Sequence, residues 1–374
     1  MSTEMNQAVQ GRLIGRNQIE DLVLVPLYAL VAALFLGALV MIATGVDLST
    51  IGQSFIALVR GSVGSLNALS ETLTAAAPLV LAGLGLALGF RAGLFNIGAE
   101  GQVIMGGLAA VVAGVAMADM PAVIALPAAI IAGALAGAFY AGIAGWLRAA
   151  TGAHEVISTI MLNLISYRLL DYLLRTPLIQ KEGRADPISK SIPEAAELPR
   201  LLTFIDPNLR LHAGVFLMLA MVVVAYWLLF RSKMGFEFRA SGENAIAARF
   251  AGINAGLTIV LAMAVAGALA GLAGANQVLG VLGRATPGFS AGIGFDAIAV
   301  ALLGRSHPVG VLFAGVLFGA LEAGGRQMQV DAGVSIDLIG IIQALIIVFI
   351  AAPLLVKAIF PWGFRRTRSK EEEV

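Results

Sequence analysis

The residues best suited to binding or chemistry lie in one glycine-rich segment, RAGLFNIGAEGQVIMGG (91–107). Asn96, Glu100 and Gln102 place two amides and a carboxylate among apolar neighbours, and glycines interrupt the helical pattern around them. In an apolar environment, irregular backbone is tolerated only where it is buried in protein or lines a cavity. One interpretation is a broken helix beside a polar pathway through the chain. The other is a tight turn in which Asn96 and Glu100 cap the next helix.

A second group of polar residues lies in TGAHEVISTIMLN (151–163). Ser158, Thr159 and Asn163 fall broadly on one side of the helix predicted there. These side chains could form a wall of the same pathway. They could equally join neighbouring helices through hydrogen bonds, which are common where apolar helices pack.

Charged side chains within apolar runs need a reason, because burying an unpaired charge is costly. Their spacing predicts that Arg168 pairs with Asp171 and that Glu322 pairs with Arg326. Asp296 has no such neighbour along the chain. It could line a cavity or bind a basic group from another helix.

The segment 231–255 combines charged residues with a short predicted helix over 242–251. Ser241 is the predicted N-cap of this helix. Ile246 and Phe250 lie four residues apart and form an apolar ridge along it. An exposed ridge of this kind needs a surface to cover it, either a partner protein or the lipid on which the helix would lie.

The sequence excludes several classes of protein. It contains no cysteine, so a disulfide framework and thiolate metal sites are excluded. It contains no GxxxxGK[ST] or HExxH pattern, so the chain cannot bind ATP through a P-loop of its own and is not expected to be an enzyme. The net charge of +1 excludes a strong electrostatic attraction to nucleic acid.

The elements that must position these residues are transmembrane helices. The chain is 59% hydrophobic and only 13% charged, against about a quarter charged in an average soluble domain. A membrane-spanning helix needs about 20 apolar residues. The expected fold is therefore an all-α integral membrane protein in the lipid bilayer. Ten candidate spans occur, at 22–43, 70–90, 98–117, 122–147, 156–175, 213–230, 256–279, 289–304, 309–325 and 337–357.

The excess of Lys and Arg predicts that both termini are cytoplasmic. This orientation gives a cytoplasmic tail at 1–21, a polytopic domain at 22–360 and a second cytoplasmic tail at 361–374. Residues 176–212 become a long outer loop, and 231–255 become the largest cytoplasmic loop. Two sets of five spans have opposite orientations, which is typical of the inverted repeats of transporters. AGALAG occurs at both 132–137 and 266–271, in weak support of a repeat.

Three motifs together resemble one protein family. They are GLFNIGAEGQ (93–102), HEVISTIMLN (154–163) and the GEN…AARFAGI stretch at 242–253. The resemblance is to the membrane permease subunit of bacterial ABC importers, in the group that handles branched-chain amino acids, ribose-type sugars and nucleosides. It covers about residues 20–360. The first two motifs most resemble the nucleoside branch, whose systems are linked to a basic membrane lipoprotein.

The resemblance implies roles and partners. The chain would form a translocation pathway in the bacterial inner membrane with a second permease subunit, either a paralogue or a second copy. An extracytoplasmic solute-binding protein would deliver solute, and a cytoplasmic ABC ATPase would hold ATP and Mg²⁺, which this chain would not bind. The expected pathway residues are Asn96, Glu100, Gln102 and Asn163, with Asp296 as a further candidate. The expected ATPase-coupling residues are Glu243, Ile246, Arg249 and Phe250.

Two other functions stay open at this point. A ribose-type sugar permease is the first alternative, because nucleosides contain ribose and would use similar polar groups. An ion-coupled secondary transporter is a more distant one, since it would show the same repeats and broken helices. Dependence of uptake on ATP and on a partner ATPase separates the second alternative from an importer.

Overall fold

The computed structural model describes residues 27–335, 337–351 and 359. The two tails predicted at 1–21 and 361–374 lie outside the described residues, as do both chain termini. Within the described part, the only β-structure consists of isolated bridges. The helices are α1 (Leu27–Ala43), α2 (Leu48–Val63), α3 (Leu66–Arg91), α4 (Ala99–Ala116), α5 (Ala122–Thr151), α6 (Glu155–Leu173), α7 (Gly214–Arg231), α8 (Lys233–Glu243), α9 (Ala245–Phe250), α10 (Ala255–Gln277), α11 (Ile293–Leu303), α12 (Pro308–Ala332) and α13 (Asp337–Ala351).

Each of the ten predicted spans overlaps one of these helices, and the parts of the first and last spans at 22–26 and 352–357 lie outside the described residues. In the described residues, seven helical stretches are long and apolar enough to cross a membrane: α3, α4, α5, α6, α7, α12 and α10 with its continuation to Leu282. Three apolar helices, α1, α11 and α13, are shorter. The 11 residues of α11 extend about 16 Å, which is roughly half of the hydrocarbon thickness.

The predicted outer loop at 176–212 is irregular, as its prolines indicate. Its regular structure is limited to one 3₁₀ turn, Glu194–Ala196, and to single bridges from Gln180 to Ser189 and from Arg200 to His212. Residues 51–60, which precede the second predicted span, are helical as part of α2. No soluble domain occurs among the described residues.

The chain forms two compact units. One contains the described residues up to Ile56 together with the described residues from Met328 onward, and the other runs from Ala57 to Gln327. In the first unit, Gly37 of α1 lies against the Ile342 side chain of α13. The second unit contains α3 to α11 and every predicted site residue. In it, α10 packs against α3, α4 and α5.

Glycines bring the backbones of α5 and α10 into direct contact. A Cβ atom at Gly137 would overlap the carbonyl oxygen of Gly267, and a Cβ at Gly271 would overlap that of Gly133. The two AGALAG motifs therefore pack against each other in antiparallel fashion. Gly106 of α4 contacts Gly271 in the same way. Apolar helices in lipid gain little from hydrophobic burial against one another, so close packing of small residues is a main source of their association.

Two local predictions are wrong. Ser241 is not an N-cap but lies inside α8, and the short helix begins only after Asn244. The Asn244 side chain accepts hydrogen bonds from the backbone N–H groups of Ile246 (3.1 Å) and Ala247 (2.9 Å), so Asn244 is the cap that forms.

The second error concerns an ion pair. No ion pair joins Arg168 to Asp171 in the part of the chain described here; Arg168 is exposed. Glu322 and Arg326 do pair, with 3.2 Å between Oε1 and Nη1. An i, i+3 spacing only permits a contact, and an exposed arginine gains little from making it.

The glycine contact yields a test of the fold. Gly137→Ala should lower the free energy of unfolding by about 1–3 kcal/mol, because the new methyl group overlaps α10 backbone. Gly142→Ala is the matched control in the same helix, since a Cβ there meets nothing within 4 Å. It should be neutral or stabilise by up to about 1 kcal/mol through helix propensity. The measurement is thermal unfolding of the purified protein in detergent; equal effects of both changes would contradict the close packing.

Candidate functional site

The segment between α3 and α4, which we call the 92–98 segment, leaves the helical conformation and is held by its own polar side chains. Gly93 has φ of +71°, a value that favours glycine. The Asn96 Oδ1 atom accepts a hydrogen bond from the backbone N–H of Gly98 at 2.8 Å. Asn96 and Gln102 also exchange two amide hydrogen bonds, each 3.1 Å long. Both amides are 1% exposed, so they act here as internal braces of the turn.

One face of α6 provides acceptors for the backbone of this segment. Thr159 Oγ1 accepts from the N–H of Ile97 at 3.3 Å, and Asn163 Oδ1 accepts from the N–H of Gly101 at 2.9 Å. The Asn163 amide nitrogen donates to the Ile97 carbonyl at 2.9 Å. The buried N–H groups at the start of α4 lack helical partners, so these side chains satisfy them.

The same face of α6 begins with a charged pair. Glu155 Oε1 accepts from the N–H of Phe95 at 3.3 Å, and the other carboxylate oxygen pairs with Arg148 at the end of α5. Glu155, Thr159 and Asn163 are thus spaced four residues apart and bind three successive parts of the 92–101 backbone. Ser158 is different, because it is only half-buried and its hydroxyl donates to the His154 carbonyl just before its own helix.

Glu100 joins the starts of two helices. It lies in the first turn of α4, and its carboxylate accepts from Ser290 Oγ at 2.5 Å and from the backbone N–H of Gly294 at 2.8 Å. Gly294 is in the first turn of α11, and a Cβ there would overlap the Glu100 backbone. Glu100 is 1% exposed. Its negative charge therefore lies between the partial positive charges of two helix N-termini, a favourable position.

Asp296 follows Gly294 by two residues in the first turn of α11. It is half-buried, and among the described residues no side chain donates a hydrogen bond to its carboxylate. The basic partner considered for Asp296 is therefore not found in this part of the chain. A position lining a polar cavity stays a prediction.

The structure brings together four of the five predicted pathway residues, Asn96, Glu100, Gln102 and Asn163, around the start of α4. Sequence reasoning missed Ser290 and the roles of Glu155 and Arg148. The signal that could have found Glu155 was its four-residue spacing from Thr159 and Asn163. No cluster of three or more His, Cys, Asp or Glu side chains that could hold a metal occurs in the described residues.

The predicted coupling residues form an exposed surface on α9 and the end of α8. Ile246 is 72% exposed and Phe250 is 90% exposed, while Glu243 and Arg249 are also exposed. The intervening Ala248 is buried against the rest of the chain. The apolar ridge predicted from the spacing of Ile246 and Phe250 is confirmed. We call these four exposed residues the α9 surface.

The α9 surface is connected to the 92–98 segment through two glycines. A Cβ at Gly242, the penultimate residue of α8, would overlap the Arg91 carbonyl oxygen, and a Cβ at Gly93 would lie 3.1 Å from the Gly242 Cα. The end of α8 therefore rests directly on the turn where α3 ends. Phe90 and Phe95 stack across that turn, with ring centroids 5.1 Å apart.

Comparison with known proteins identifies the family. Residues 68–351 match the family described as the permease component of branched-chain amino acid transport systems. The chain belongs to this permease family. The family resemblance predicted from the three motifs is confirmed, and the permease is a multi-pass protein of the inner membrane.

Several curated relatives cover most of the permease. A guanosine ABC transporter permease of Bacillus subtilis is 39% identical over 88% of this chain and 93% of its own. A glucose ABC transporter permease of Haloferax volcanii is 38% identical over 87% of this chain and 86% of its own. A nucleoside ABC transporter permease of Lactococcus lactis is 34% identical over 91% and 93%, respectively. No solved structure matches the chain.

The position of Glu100 yields the next test. Glu100→Gln removes the charge between two helix starts and should lower the free energy of unfolding by about 1–3 kcal/mol. Glu197→Gln is the control, because Glu197 is exposed. Thermal unfolding measures both. If the variant assembles and transports at the wild-type rate, Glu100 only caps; if it assembles normally and transports slowly, the predicted pathway role gains support. Unchanged stability would contradict the capping geometry.

Proposed function

We propose that this permease forms the translocation pathway of an ATP-driven importer of nucleosides. The observation that carries the proposal is the similarity, at 39% and 34% identity over most of both chains, to permeases of guanosine and nucleoside transporters. The described geometry supports a transporter: a break between α3 and α4, a short α11 that begins against it, and an exposed α9 surface connected to that break.

A sugar permease is the second candidate. The specific observation that favours it is the 38% identity to a glucose transporter permease. Polar groups that bind the hydroxyls of a sugar would also bind those of a ribose, so the two candidates are separated by the solute and not by the fold.

The proposed membrane topology has ten crossings, two inverted halves of five helices and cytoplasmic termini. The contact between α4 and α11 supports the inverted repeat. Both helices follow a break, after α3 and after α10, and their first turns meet at Glu100 and Gly294. Two equivalent helices related by an axis in the membrane plane would meet in this way.

The proposed assembly combines this chain with a second permease, a solute-binding protein and an ATPase. A second permease, identical or paralogous, would complete the pathway, and a solute-binding protein would dock on the 176–212 loop. A cytoplasmic ATPase would dock on the α9 surface and hold ATP and Mg²⁺, with no cofactor bound by this chain. Ile246 and Phe250 support the ATPase contact, because an apolar ridge rimmed by Glu243 and Arg249 has the composition of a protein interface.

In the proposed mechanism, ATP-driven closure of the ATPase displaces α9 and the end of α8. Gly242 rests on the turn at Gly93, so the displacement would act on the 92–98 segment without a flexible side chain between them. The hydrogen bonds from Thr159 and Asn163 to that segment would then be exchanged, and the buried amides of Asn96 and Gln102 could face the pathway. The ATPase shifts the access states only if it binds them with different affinity.

The uptake experiment tests the function. Labelled guanosine, glucose, ribose and leucine are given to cells with and without this gene, with the proton gradient collapsed and ATP maintained. Guanosine uptake that needs the gene and survives the collapse is expected. Sugar uptake alone would replace the nucleoside proposal by the sugar candidate. Gene-dependent uptake that disappears with the gradient would indicate an ion-coupled secondary transporter.

A charge placed in the α9 surface tests the coupling. Phe250→Asp should weaken binding of the ATPase by about thirtyfold, because a buried aromatic anchor at an interface contributes about 2 kcal/mol or more. Phe204→Asp is the matched control, since Phe204 is 81% exposed in the 176–212 loop. Co-purification of the ATPase measures both variants. Normal co-purification with Phe250→Asp would remove the coupling assignment.

A further inference from the structure

Two buried side chains near the 176–212 loop carry polar atoms that nothing satisfies. His212 and Asn276 are both 0% exposed. The His212 Nε2 atom and both amide atoms of Asn276 have no hydrogen-bond partner among the described residues. Buried polar atoms are almost always paired, because an unpaired one forfeits its hydration without compensation. Three unpaired atoms in two neighbouring side chains therefore need an explanation.

The hydrogen bonding of His212 fixes which atoms can donate. The backbone N–H of Gly214 donates to His212 Nδ1 at 3.1 Å, so Nδ1 holds a lone pair. Burial and the positive charges of Arg210 and Arg200 lower the pKa of His212 to about 4. The imidazole is neutral at pH 7, and its proton is on Nε2. The pair thus offers one imidazole donor, an amide donor and an amide acceptor.

Glycines place the two side chains next to each other. A Cβ at Gly214 would overlap the Asn276 amide nitrogen and would lie 2.6 Å from His212 Cε1, so both side chains approach the same Cα. A Cβ at Gly280 would also overlap the imidazole ring. The imidazole and the amide are therefore packed against backbone without an intervening side chain. Their positions are defined by the fold.

A cavity lies on the other side of Gly280. Asn276 precedes a π-helical turn, Val278–Leu282, that contains Gly280. This turn lines a cavity of about 640 Å³, which we call the loop cavity. The remaining polar lining comes from Glu194, Glu197, Arg200 and Thr203. Gly280 thus lies against the His212 ring and also lines the loop cavity. π turns within helices are frequent at functional sites.

We propose that His212 and Asn276 form a binding site for adjacent hydroxyl groups of a neutral solute, reached from the loop cavity when the π turn moves. A vicinal diol can accept hydrogen bonds from Nε2–H and from the amide nitrogen, and it can donate one to the amide oxygen. This inference rests on the proposed function, because the ribose of a nucleoside carries such a diol. The site lies apart from the Asn96–Glu100–Asn163 cluster and uses none of its residues.

Direct binding to the purified permease complex, without its solute-binding protein, tests the site. The probes are labelled guanosine and 2′,3′-dideoxyguanosine, which lacks the vicinal 2′- and 3′-hydroxyls, with glucose as a second diol. Asn276→Leu should weaken binding of guanosine by about fivefold and that of the dideoxy compound by about twofold or less. Thermal stability should be unchanged or higher, since the amide loses no hydrogen bond within the chain.

Two further variants keep the test decisive. His212→Asn retains an acceptor for the Gly214 N–H and deletes the Nε2–H donor, so it should give the same selective loss. Ser241→Ala is the matched control. It also removes a buried polar atom without a hydrogen-bond partner, the Ser241 hydroxyl in α8. It should leave both affinities unchanged.

The outcomes separate the site from the function. Equal losses for guanosine and the dideoxy compound, no loss, or no binding of guanosine or glucose by the wild-type complex would overturn the site. If the wild-type complex imports guanosine and the Asn276→Leu variant imports it at the same rate, the site is overturned and the proposed function stands. Glucose binding that depends on Asn276, in a complex that does not import guanosine, would support the site and overturn the nucleoside proposal.

Discussion

The backbone N–H groups at the starts of α4 and α11 impose the constraint on which this structure depends. The first N–H groups of a helix have no partner within it, and inside an apolar protein no solvent replaces that partner. Asn96, Thr159 and Asn163 provide acceptors before and within the first turn of α4. Glu100 provides them for α11. The break in the chain and the polar residues around it are therefore one arrangement.

Close helix packing makes that arrangement possible. Glycines on α4, α5 and α10 remove the side chains that would separate the backbones. The polar groups of α6 can then reach the 92–101 segment while the apolar faces remain available to lipid. Hydrogen bonds hold the broken segment, and van der Waals contact between glycines holds the helices that surround it.

The route from the α9 surface to the break is short and made of backbone. Ile246 and Phe250 are exposed, whereas Gly242 at the end of α8 touches the turn beside Gly93. A contact between two backbones has few alternative geometries, so under the mechanism proposed here a displacement of one would be passed to the other. The same chain carries a second polar pair, His212 and Asn276, behind the π turn beside the loop cavity. A solute would meet it from that side under the function proposed here.

The sequence by itself determined the helices, because long apolar runs are local and leave little choice in lipid. It also determined the apolar ridge of α9, since Ile246 and Phe250 lie on one face of the helix whichever residue begins it. Tertiary structure decided that Asn244 and not Ser241 caps α9, since Gly242 packs on α3 and leaves Ser241 inside α8. It also decided that Glu155 serves the 92–98 segment and that Glu100 reaches α11. These contacts join residues from 60 to nearly 200 positions apart, and no local pattern encodes such a pairing.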